Sequence, residues 1–442
     1  MPAIVIAVLI LASGGQPQVP AQPFEPDVVA QSRKILAAAA AGDFAAIEAQ
    51  FTPEMKAALP PGRFAAMWNG LRQAGAFKSC AENPRVRNIA DKVMVITLCE
   101  FERAAFDVQF AFDSAGRISG LTFRPGTAAP APSALPPYAR PGSYTDTAMT
   151  IGSSEWALPA TLTMPTGTAL VPAVVLVHGS GPHDRDSTVG ANRPFRDLAT
   201  GLASRGIAVL RYAKRTQVHG AKMTALKTYT VREEVIDDVI IAVRTLRVQP
   251  RIDTGRIFVL GHSLGGTLLP RIAAADSTIA GLIALAGSAT PLEEAIVAQS
   301  RYLALADGTI SKEEQIGIDR AAALRERVRA LTTEDAASGR VLAGAPASYW
   351  LDLRGYDPPA VARLVKPRML WLQGERDYQV TADDFSKWKA ALGSRRDVTF
   401  RSYPALNHLF IAGTGSSLPA EYQVPGHVAE DVIRDIASWI LG

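Results

Sequence analysis

Short segments rich in apolar residues, separated by longer amphipathic segments, dominate the chain from residue 144 onward. Apolar runs of this kind are typical of parallel strands buried on both faces, and helical spacing between them indicates covering helices. The pattern predicts an α/β domain over 144–442 with a mostly parallel, doubly wound sheet. The predicted strands are Thr147–Ile151, Leu158–Met164, Ala173–Val177, Ile207–Leu210, Ile257–Leu260, Ile279–Ala286, Met369–Leu372 and Val398–Tyr403.

A different pattern occupies residues 26–125 and predicts a small α+β domain. Three amphipathic segments come first, and segments that alternate apolar and polar side chains follow, as in an antiparallel meander. The predicted helices are Val28–Ala41, Asp43–Phe51 and one within Gly62–Gly75, and the predicted strands include Phe106–Phe112 and Ile118–Phe123. A segment rich in Pro and Ala, residues 126–143, predicts a linker between the two domains.

The N-terminus carries an apolar run of nine residues, Ile4–Ala12, followed by small residues around Val19–Ala21. Nine residues are too few to span a bilayer, and the pattern is typical of a secretory signal over residues 1–21. No Lys or Arg precedes the run, so a plain hydrophobic tail is the alternative. We expect an exported protein, periplasmic or secreted, without a stable membrane span.

The chain has two cysteines, Cys80 and Cys99, and both lie in the small domain. A hairpin over residues 76–103, with its turn centred between Ile89 and Ala90, places one cysteine opposite the other. Directly opposed residues of an antiparallel pair approach closely enough for a disulfide. Because export implies an oxidising compartment, we predict a Cys80–Cys99 disulfide rather than two buried thiols.

Composition narrows the class of protein. Of 442 residues, 48% are hydrophobic and 20% charged, which excludes a disordered chain and a polytopic membrane protein. The net charge of +4 comes from scattered basic residues, so we expect no nucleic-acid partner. The sequence has neither a His/Cys cluster at zinc spacing nor a phosphate-binding G-x-x-x-x-G-K-[ST] motif, so we expect no metal and no cofactor.

The strongest candidate chemistry follows the predicted strand Ile257–Leu260, where residues 261–265 read G-H-S-L-G. A G-x-S-x-G turn between a strand and a helix is typical of a nucleophile elbow, which would expose Ser263. By itself the motif is weak, because a tight strand-to-helix connection uses the same residue types.

Further candidates lie in loops that follow other predicted strands, where ligands bind in doubly wound sheets. Asp377 follows one strand and His408 another, and the order Ser263, Asp377, His408 is that of the α/β-hydrolase triad. Glu375 is the alternative acid. We interpret the three as nucleophile, acid and base.

Residues 177–182, V-H-G-S-G-P, form a glycine-rich turn after the strand Ala173–Val177. We call this segment the oxyanion loop, because such a turn can aim the N–H of Ser180 at a reacting carbonyl, with Leu264 as second donor. A plain turn is the alternative. The five other histidines are not assigned to catalysis. His178 braces this loop, His262 lies inside the elbow, and His427 caps the last helix or lies on the surface. His183 and His219 are loop residues without an assignment.

Residues 291–366 form an insertion before the strand that precedes Asp377. Their apolar residues at helical spacing predict two or three cap helices over the site. We expect Ser348, Tyr349, Trp350 and Leu353 of the insertion, and Tyr378 after it, to line an acyl pocket, with helix packing without ligand contact as the alternative.

Five segments, HGSGPHDRD, LRYAKRT, GHSLGG, LQGERDYQV and LNHLF, resemble exported bacterial α/β-hydrolases of the serine carboxylesterase type, related to dienelactone-hydrolase-like and serine-aminopeptidase-like enzymes. The resemblance implies Ser263, Asp377 and His408 as triad and Ser180 and Leu264 as oxyanion donors. Relatives often read RYDKR where this chain has Ala213, which puts ion pairs there in doubt. The domain before the linker more weakly resembles cystatin-like or nuclear-transport-factor-like domains.

The resemblance implies a carboxylic ester hydrolase that acts on small esters, with short acyl chains expected, through an acyl-enzyme intermediate. Peptidase or aminopeptidase-like activity and acyl thioesterase activity on the same triad are the alternatives, and export disfavours acyl-CoA. A binding protein without catalysis would need an incomplete triad. Asp184, Arg185 and Asp186 are interpreted as an ion network that braces their loop. The sequence makes no prediction of oligomeric state.

Overall fold

A computed structural model describes residues 28–71, 74–81, 84–89, 92–102, 104–126, 134–153 and 155–442. The predicted secretory signal, residues 1–21, lies outside these ranges. The chain divides into two compact units between residues 131 and 132. This division falls inside the segment predicted as a linker, and strand β6 of the second unit begins at Tyr144.

In its described residues, the first unit combines four helices with a five-stranded antiparallel sheet. Phe64 and Trp68 of α4 form the centre of an aromatic core with Phe101 and Phe123. The helices are α1 (Val28–Ala41), α2 (Phe44–Glu48), α3 (Pro53–Ala58) and α4 (Arg63–Leu71). The strands are β1 (Phe77–Cys80), β2 (Arg85–Ile89), β3 (Lys92–Phe101), β4 (Ala105–Phe112) and β5 (Ile118–Gly126).

The predicted disulfide is present. Cys80 of β1 lies opposite Cys99 of β3, with Cα atoms 4.0 Å apart. The turn lies one residue later than predicted, because Ile89 pairs with Lys92. The cysteines still meet because β1 and β2 are separate strands that pair with β3 in registers two residues apart.

The second unit is built on an eight-stranded sheet in the order β15-β14-β11-β10-β8-β9-β7-β6. Neighbours from β15 to β9 are parallel, and β7 and β6 add an antiparallel edge, so the predicted mostly parallel sheet is confirmed. The strands are β6 (Tyr144–Ile151), β7 (Leu158–Pro165), β8 (Val171–Val177), β9 (Ala208–Tyr212), β10 (Ile252–His262), β11 (Gly281–Leu285), β12 (Val341–Leu342), β13 (Ala345–Pro346), β14 (Arg368–Gly374) and β15 (Val398–Tyr403).

Helices cover both faces of this sheet. Successive side chains of β8 point to opposite faces, so Val175 and Val177 enter one apolar core while Val174 and Leu176 enter the other. The helices are α5 (Pro194–Ala203), α6 (Arg215–Val218), α7 (Gly220–Ala225), α8 (Asp237–Arg247), α9 (Leu264–Ala275), α10 (Leu292–Ala304), α11 (Lys312–Arg329), α12 (Thr333–Ala337), α13 (Ala347–Arg354), α14 (Pro358–Leu364), α15 (Ala382–Leu392) and α16 (Glu430–Leu441). A π-helical turn, Arg232–Ile236, precedes α8.

The insertion contains helices α10 to α14 and the hairpin β12–β13, so the prediction of two or three helices was too low. Helix spacing alone did not reveal the breaks, which occur where capping residues and prolines begin new short helices. Thr332 caps α12, and prolines stand at or next to the first turn of α13 and α14. Among the described residues, the helices are all too short or too polar to cross a membrane.

Candidate active site

Ser263 lies at the turn between β10 and α9 with φ 55° and ψ −120°, a conformation that costs a residue with a side chain some backbone strain. The turn is held because the Ser263 N–H donates to the Leu285 carbonyl of β11 at 2.9 Å. Glycines are required at positions 261 and 265, because neighbouring backbone atoms leave no room for a Cβ there. A Cβ on Gly261 would lie 2.3 Å from Gly265, and one on Gly265 would lie 2.5 Å from the carbonyl oxygen of Val177. The geometry is that of the predicted elbow.

Asp377 and His408 form a buried pair, with Asp377 Oδ2 2.6 Å from His408 Nδ1. The other oxygen of Asp377 accepts the backbone N–H groups of Gln379 and Val380 at 2.8 and 3.0 Å, so the carboxylate has a fixed orientation. With the Nδ1–H donated to Asp377, Nε2 is left as the basic nitrogen of His408.

Glu375, the alternative acid, lies elsewhere. Its side chain is exposed and accepts a hydrogen bond from the Ser402 hydroxyl at 2.7 Å. The structure therefore assigns the histidine's carboxylate partner to Asp377 and leaves Glu375 on the surface.

The loop that carries His408 is anchored on two sides. The Nε2–H of His262 donates to the His408 carbonyl at 2.8 Å, and burial lowers the pKa of His262 to about 3, so this ring is neutral. On the other side, Asn407 donates to Glu421 at 3.1 Å, and Glu421 pairs with Arg376. His262 thus lies inside the elbow, as predicted.

The oxyanion loop passes directly over Ser263, since a Cβ on Gly179 would lie 3.0 Å from the Ser263 Cβ. Leu264 is the first residue of α9, so its N–H has no acceptor within the helix. Both Ser180 and Leu264 line the same cavity as Ser263 and His408. Both residues predicted to be oxyanion donors therefore lie at the cavity together with the candidate nucleophile.

Histidines brace the oxyanion loop. The Nε2–H of His183 donates to the Ser180 carbonyl at 2.8 Å, and that of His178 donates to the Asp184 carbonyl at 3.0 Å. Burial lowers the pKa of both imidazoles, well below the usual range for His178, so both rings are neutral donors. His183, which had no assignment from sequence, belongs to this brace.

The predicted ion network next to the loop is present only in part, because among the described contacts Asp186 forms an ion pair whereas Asp184 and Arg185 form hydrogen bonds to uncharged groups. Asp184 accepts the backbone N–H of Asp186 at 3.0 Å, Arg185 donates to the Thr161 hydroxyl at 3.0 Å, and Asp186 pairs with Arg211 at 3.0 Å. All three acidic and basic side chains lie outside the set of described residues that line the cavity.

The ion pairs around Ala213 persist despite the departure from RYDKR. Arg211 pairs with Asp186, Lys214 Nζ lies 2.8 Å from Glu234, and Arg215 Nε lies 3.0 Å from Asp238. Ala213 itself is buried. Each basic residue of the segment therefore has a carboxylate partner.

The cavity above Ser263 has a volume of about 560 Å³. One wall is a single face of α10, formed by Leu292, Ala295, Ile296 and Gln299 at the spacing of helical neighbours. Tyr378 lines another wall and stacks on Tyr302 with ring centroids 5.0 Å apart. Among the described residues that line the cavity there is no Asp, Glu, Lys or Arg.

The pocket prediction was right for Tyr378 and Leu353 and wrong for Ser348, Tyr349 and Trp350. Trp350 donates its Nε1–H to the Leu342 carbonyl at 2.8 Å and packs within the insertion's own apolar cluster. Tyr349 packs on Tyr229 with ring centroids 5.9 Å apart, within one of the two apolar cores of the sheet. Of the buried side chains of α13, only that of Leu353 is among the described residues that line the cavity. Sequence reasoning missed α10, whose apolar spacing was the available signal.

The remaining histidines are structural. His427 lies before α16 begins at Glu430, so it does not cap that helix, and its Nδ1 lies 3.2 Å from Asp197 of α5. Burial raises the pKa of Asp197, against the opposing effect of His427. His219 packs edge-on against Trp156 and hydrogen-bonds the Ala157 carbonyl at 2.9 Å.

Comparison with known proteins agrees with this geometry. Residues 174–420 match the sequence profile described as the alpha/beta hydrolase family. Esterase EstD of Thermotoga maritima is 38% identical over 389 residues, which cover 88% of this chain and 89% of that protein. The chain belongs to the alpha/beta hydrolase family.

Other matches extend the comparison without adding to the assignment. Residues 32–121 of the hydrolase match a family described as a protein of unknown function (DUF3887). Among solved structures, Est1E from Butyrivibrio proteoclasticus is 18% identical, with a TM-score of 0.43, and covers 67% of this chain and 99% of its own. The esterase domain of a Rhodothermus marinus protein is 17% identical, with a TM-score of 0.39, and covers 67% and 97%.

Proposed function

We propose that the hydrolase is a serine esterase that cleaves small, uncharged carboxylic esters through Ser263, His408 and Asp377. The observation that carries the proposal is the buried contact of 2.6 Å between His408 Nδ1 and Asp377 Oδ2, in a loop that lines one cavity with Ser263. The name of the relative, Esterase EstD, supports an ester as substrate.

The geometry supports a two-step mechanism. His408 Nε2 accepts the Ser263 proton as Oγ attacks the ester carbonyl, and Asp377 stabilises the resulting imidazolium. The imidazolium then protonates the leaving alcohol, which leaves an acyl-enzyme. A water molecule, activated by the same histidine, attacks the acyl group and releases the acid and free Ser263.

Negative charge develops on the carbonyl oxygen in both steps. The N–H groups of Ser180 and Leu264 are the proposed donors to this oxygen, because both lie beside Ser263 in the cavity wall. Donors that are already in place stabilise the transition state without reorganisation, and losing one such donor costs about 10²- to 10³-fold in kcat.

The cavity lining favours esters over the alternative peptidase function. An aminopeptidase has to bind the α-ammonium group of its substrate, and a buried ammonium needs a carboxylate partner. The described lining residues include no carboxylate, whereas Leu292, Ile296 and Leu409 offer apolar contact. Since the volume of about 560 Å³ has to hold both halves of the ester, short acyl chains remain the expected substrates.

Export is part of the proposal. The apolar run Ile4–Ala12 and the Cys80–Cys99 disulfide both fit an oxidising compartment outside the cytoplasm. Such a location disfavours thioesterase activity on acyl-CoA, which is cytosolic. For the first unit, four helices followed by an antiparallel meander support the likeness to cystatin-like or nuclear-transport-factor-like domains, with a packing or spacing role.

The proposal is tested by assaying purified protein on p-nitrophenyl esters of increasing acyl length and on aminoacyl p-nitroanilides. We expect ester hydrolysis with short acyl groups, little anilide hydrolysis, and covalent labelling by a fluorophosphonate probe. Ser263→Ala should abolish labelling and lower kcat by about 10⁴-fold or more. Full labelling of the Ser263→Ala protein, or faster turnover of the anilides, would contradict the proposal.

A further inference from the structure

We propose that Lys214 positions the oxyanion hole by holding the peptide group that joins Gly179 to Ser180. The inference rests on the proposed function and adds a residue outside the cavity to its machinery. Lys214 follows β9, and its Nζ lies 2.9 Å from the Gly179 carbonyl oxygen. That carbonyl belongs to the same peptide group as the Ser180 N–H.

A peptide group is planar, and in the trans form its C=O and N–H point in opposite directions. The described chain has no cis peptide bond, so fixing the Gly179 oxygen on one side fixes the Ser180 N–H on the other. Lys214 binds the oxygen from outside the cavity. The N–H is thereby held towards the position above Ser263.

The charge of Lys214 adds to this orientation. A cation at the oxygen of an amide draws electron density from it, and hydrogen-bonded groups in a low-dielectric interior polarise one another. The Ser180 N–H therefore becomes a stronger donor to a developing oxyanion. Geometry and polarisation act on the same bond in the same direction.

Lys214 is itself held firmly. Its side chain is 3% exposed, and Nζ lies 2.8 Å from Glu234, whose side chain is 7% exposed. Glu234 stands in the π-helical turn Arg232–Ile236, and π-helical turns inside helices are frequent at functional sites. Burial and the nearby Glu234 carboxylate raise the pKa of Tyr349 well above its usual value, so the phenol beside the Lys214–Glu234 ion pair carries no charge.

The next peptide group of the loop is held in the same way. His183 donates to the Ser180 carbonyl at 2.8 Å, so two consecutive carbonyls, those of Gly179 and Ser180, are each bound by a side chain. Lys214 supplies the charged contact, and it acts on the peptide group whose N–H is the proposed donor. Lys214 is therefore the positioning residue whose substitution should lower kcat.

Removing Lys214 alone would leave Glu234 buried without its partner, which destabilises a protein strongly. The test therefore uses the double variant Lys214→Met/Glu234→Leu, which removes both charges. The matched control is Arg215→Met/Asp238→Leu, because this neighbouring buried pair has its Nε and Oδ2 atoms 3.0 Å apart and lies outside the cavity lining. Both variants lose one buried ion pair, but only the first loses the contact with Gly179.

The readouts are kcat and KM on a p-nitrophenyl ester, the affinity for a boronic acid that mimics the tetrahedral intermediate, and the melting temperature. For Lys214→Met/Glu234→Leu we expect kcat and boronic-acid affinity to fall together by about 10- to 100-fold, with KM within about twofold. For Arg215→Met/Asp238→Leu we expect both quantities to stay within about twofold of the unmodified enzyme. If Lys214 had a purely structural role, its loss would lower the melting temperature without a selective fall in kcat at constant KM.

If the double variant does not fold, the single variants Lys214→Arg and Glu234→Gln replace it in the test. Arginine keeps the ion pair but differs from lysine in length and donates from a planar group, so we expect kcat of Lys214→Arg to fall about 3- to 10-fold. Glu234→Gln keeps the contact between Lys214 and Gly179, so we expect it to retain most of kcat. An unchanged kcat in folded Lys214→Met/Glu234→Leu or in Lys214→Arg, or an equal loss in the Arg215 control, overturns the inference. Fluorophosphonate labelling of the unmodified enzyme tests the proposed function separately, since it depends on Ser263 whether or not Lys214 has this role.

Discussion

His262 and His408 are joined by a hydrogen bond of 2.8 Å from a ring N–H to a backbone carbonyl. The residue before the candidate nucleophile therefore holds the backbone of the candidate base, and their rings lie 4.6 Å apart. The elbow and the histidine loop, 146 residues apart in sequence, are fixed to one another without using either catalytic side chain.

This bond leads to a prediction about acid stability. The folded-state pKa of His262 is about 3, and an unfolded histidine has a pKa near 6.5. Below pH ~6.5 the unfolded chain binds the proton and the folded chain does not, so stability is lost as pH falls from ~6.5 towards ~3, by about 1.4 kcal/mol per pH unit for this residue. His178, whose pKa is also lowered by burial, acts in the same direction.

Urea denaturation at pH 7.5 and pH 5.0 checks this. We expect His262→Asn to be less stable than the unmodified protein at pH 7.5 but to lose less free energy of unfolding on going to pH 5.0. Equal slopes for the two proteins would show that His262 titrates normally.

The acid assignment predicts a large difference between two neighbouring carboxylates. Asp377→Asn preserves shape but favours the wrong tautomer of His408, so kcat should fall by about 10⁴-fold with little change in melting temperature. Glu375→Gln changes an exposed residue that contacts Ser402, and kcat should stay within about twofold. Steady-state kinetics on one ester decide the matter, and the reverse ranking would move the acid to Glu375.

The α10 wall predicts the control of acyl length. Ile296→Ala enlarges the cavity, so preference should shift towards longer acyl chains, with about 1 kcal/mol or less per methylene in kcat/KM. Trp350→Ala is the matched control, because Trp350 packs inside the insertion's cluster; it should lower stability by about 3–5 kcal/mol and leave the chain-length profile unchanged. A shift produced by Trp350→Ala alone would contradict the placement of the wall.

The disulfide predicts a local stability effect. Cys80 and Cys99 are 19 residues apart, and closing a loop of this size is worth about 3 kcal/mol. Cys80→Ala/Cys99→Ala should lower the free energy of unfolding of the first unit by that amount and leave kcat on esters unchanged. Mass spectrometry of protein recovered from the periplasm should show no free thiol, and two free thiols there would contradict an oxidised, exported protein.

Much of the sheet and of the candidate triad could be predicted because their signals are local. An apolar run such as that of β8 permits few structures other than a buried strand, and Ser263 and Asp377 lie within three residues of the ends of such strands, β10 and β14. His408 lies five residues after β15, a partly exposed strand. Strand order then brings loop ends together without any need to predict a side-chain contact.

The errors occurred where tertiary packing decides. Helical spacing predicted that Tyr349 and Trp350 are on a buried helix face, but it does not say whether such a face meets a cavity or other side chains. In α13 these two side chains pack in apolar clusters, and Leu353 of the same helix lines the cavity. Lys214 was invisible for a related reason, since its partners Gly179 and Glu234 lie 35 and 20 positions away in opposite directions along the chain. The disulfide was predicted correctly although the turn was misplaced by one residue. The two errors cancel because β1 and β2 pair with β3 in registers two residues apart, which a single continuous hairpin does not anticipate.

The uncharged lining of the cavity also bears on how substrate arrives. Charged walls focus electric fields and speed the capture of ions, and salt weakens this attraction. The described walls offer a neutral ester no such guidance. Capture then depends on diffusion and on the partition of the ester from water into an apolar space. For neutral esters, kcat/KM should therefore change little with ionic strength. It should rise with the hydrophobicity of the substrate until the substrate fills the cavity.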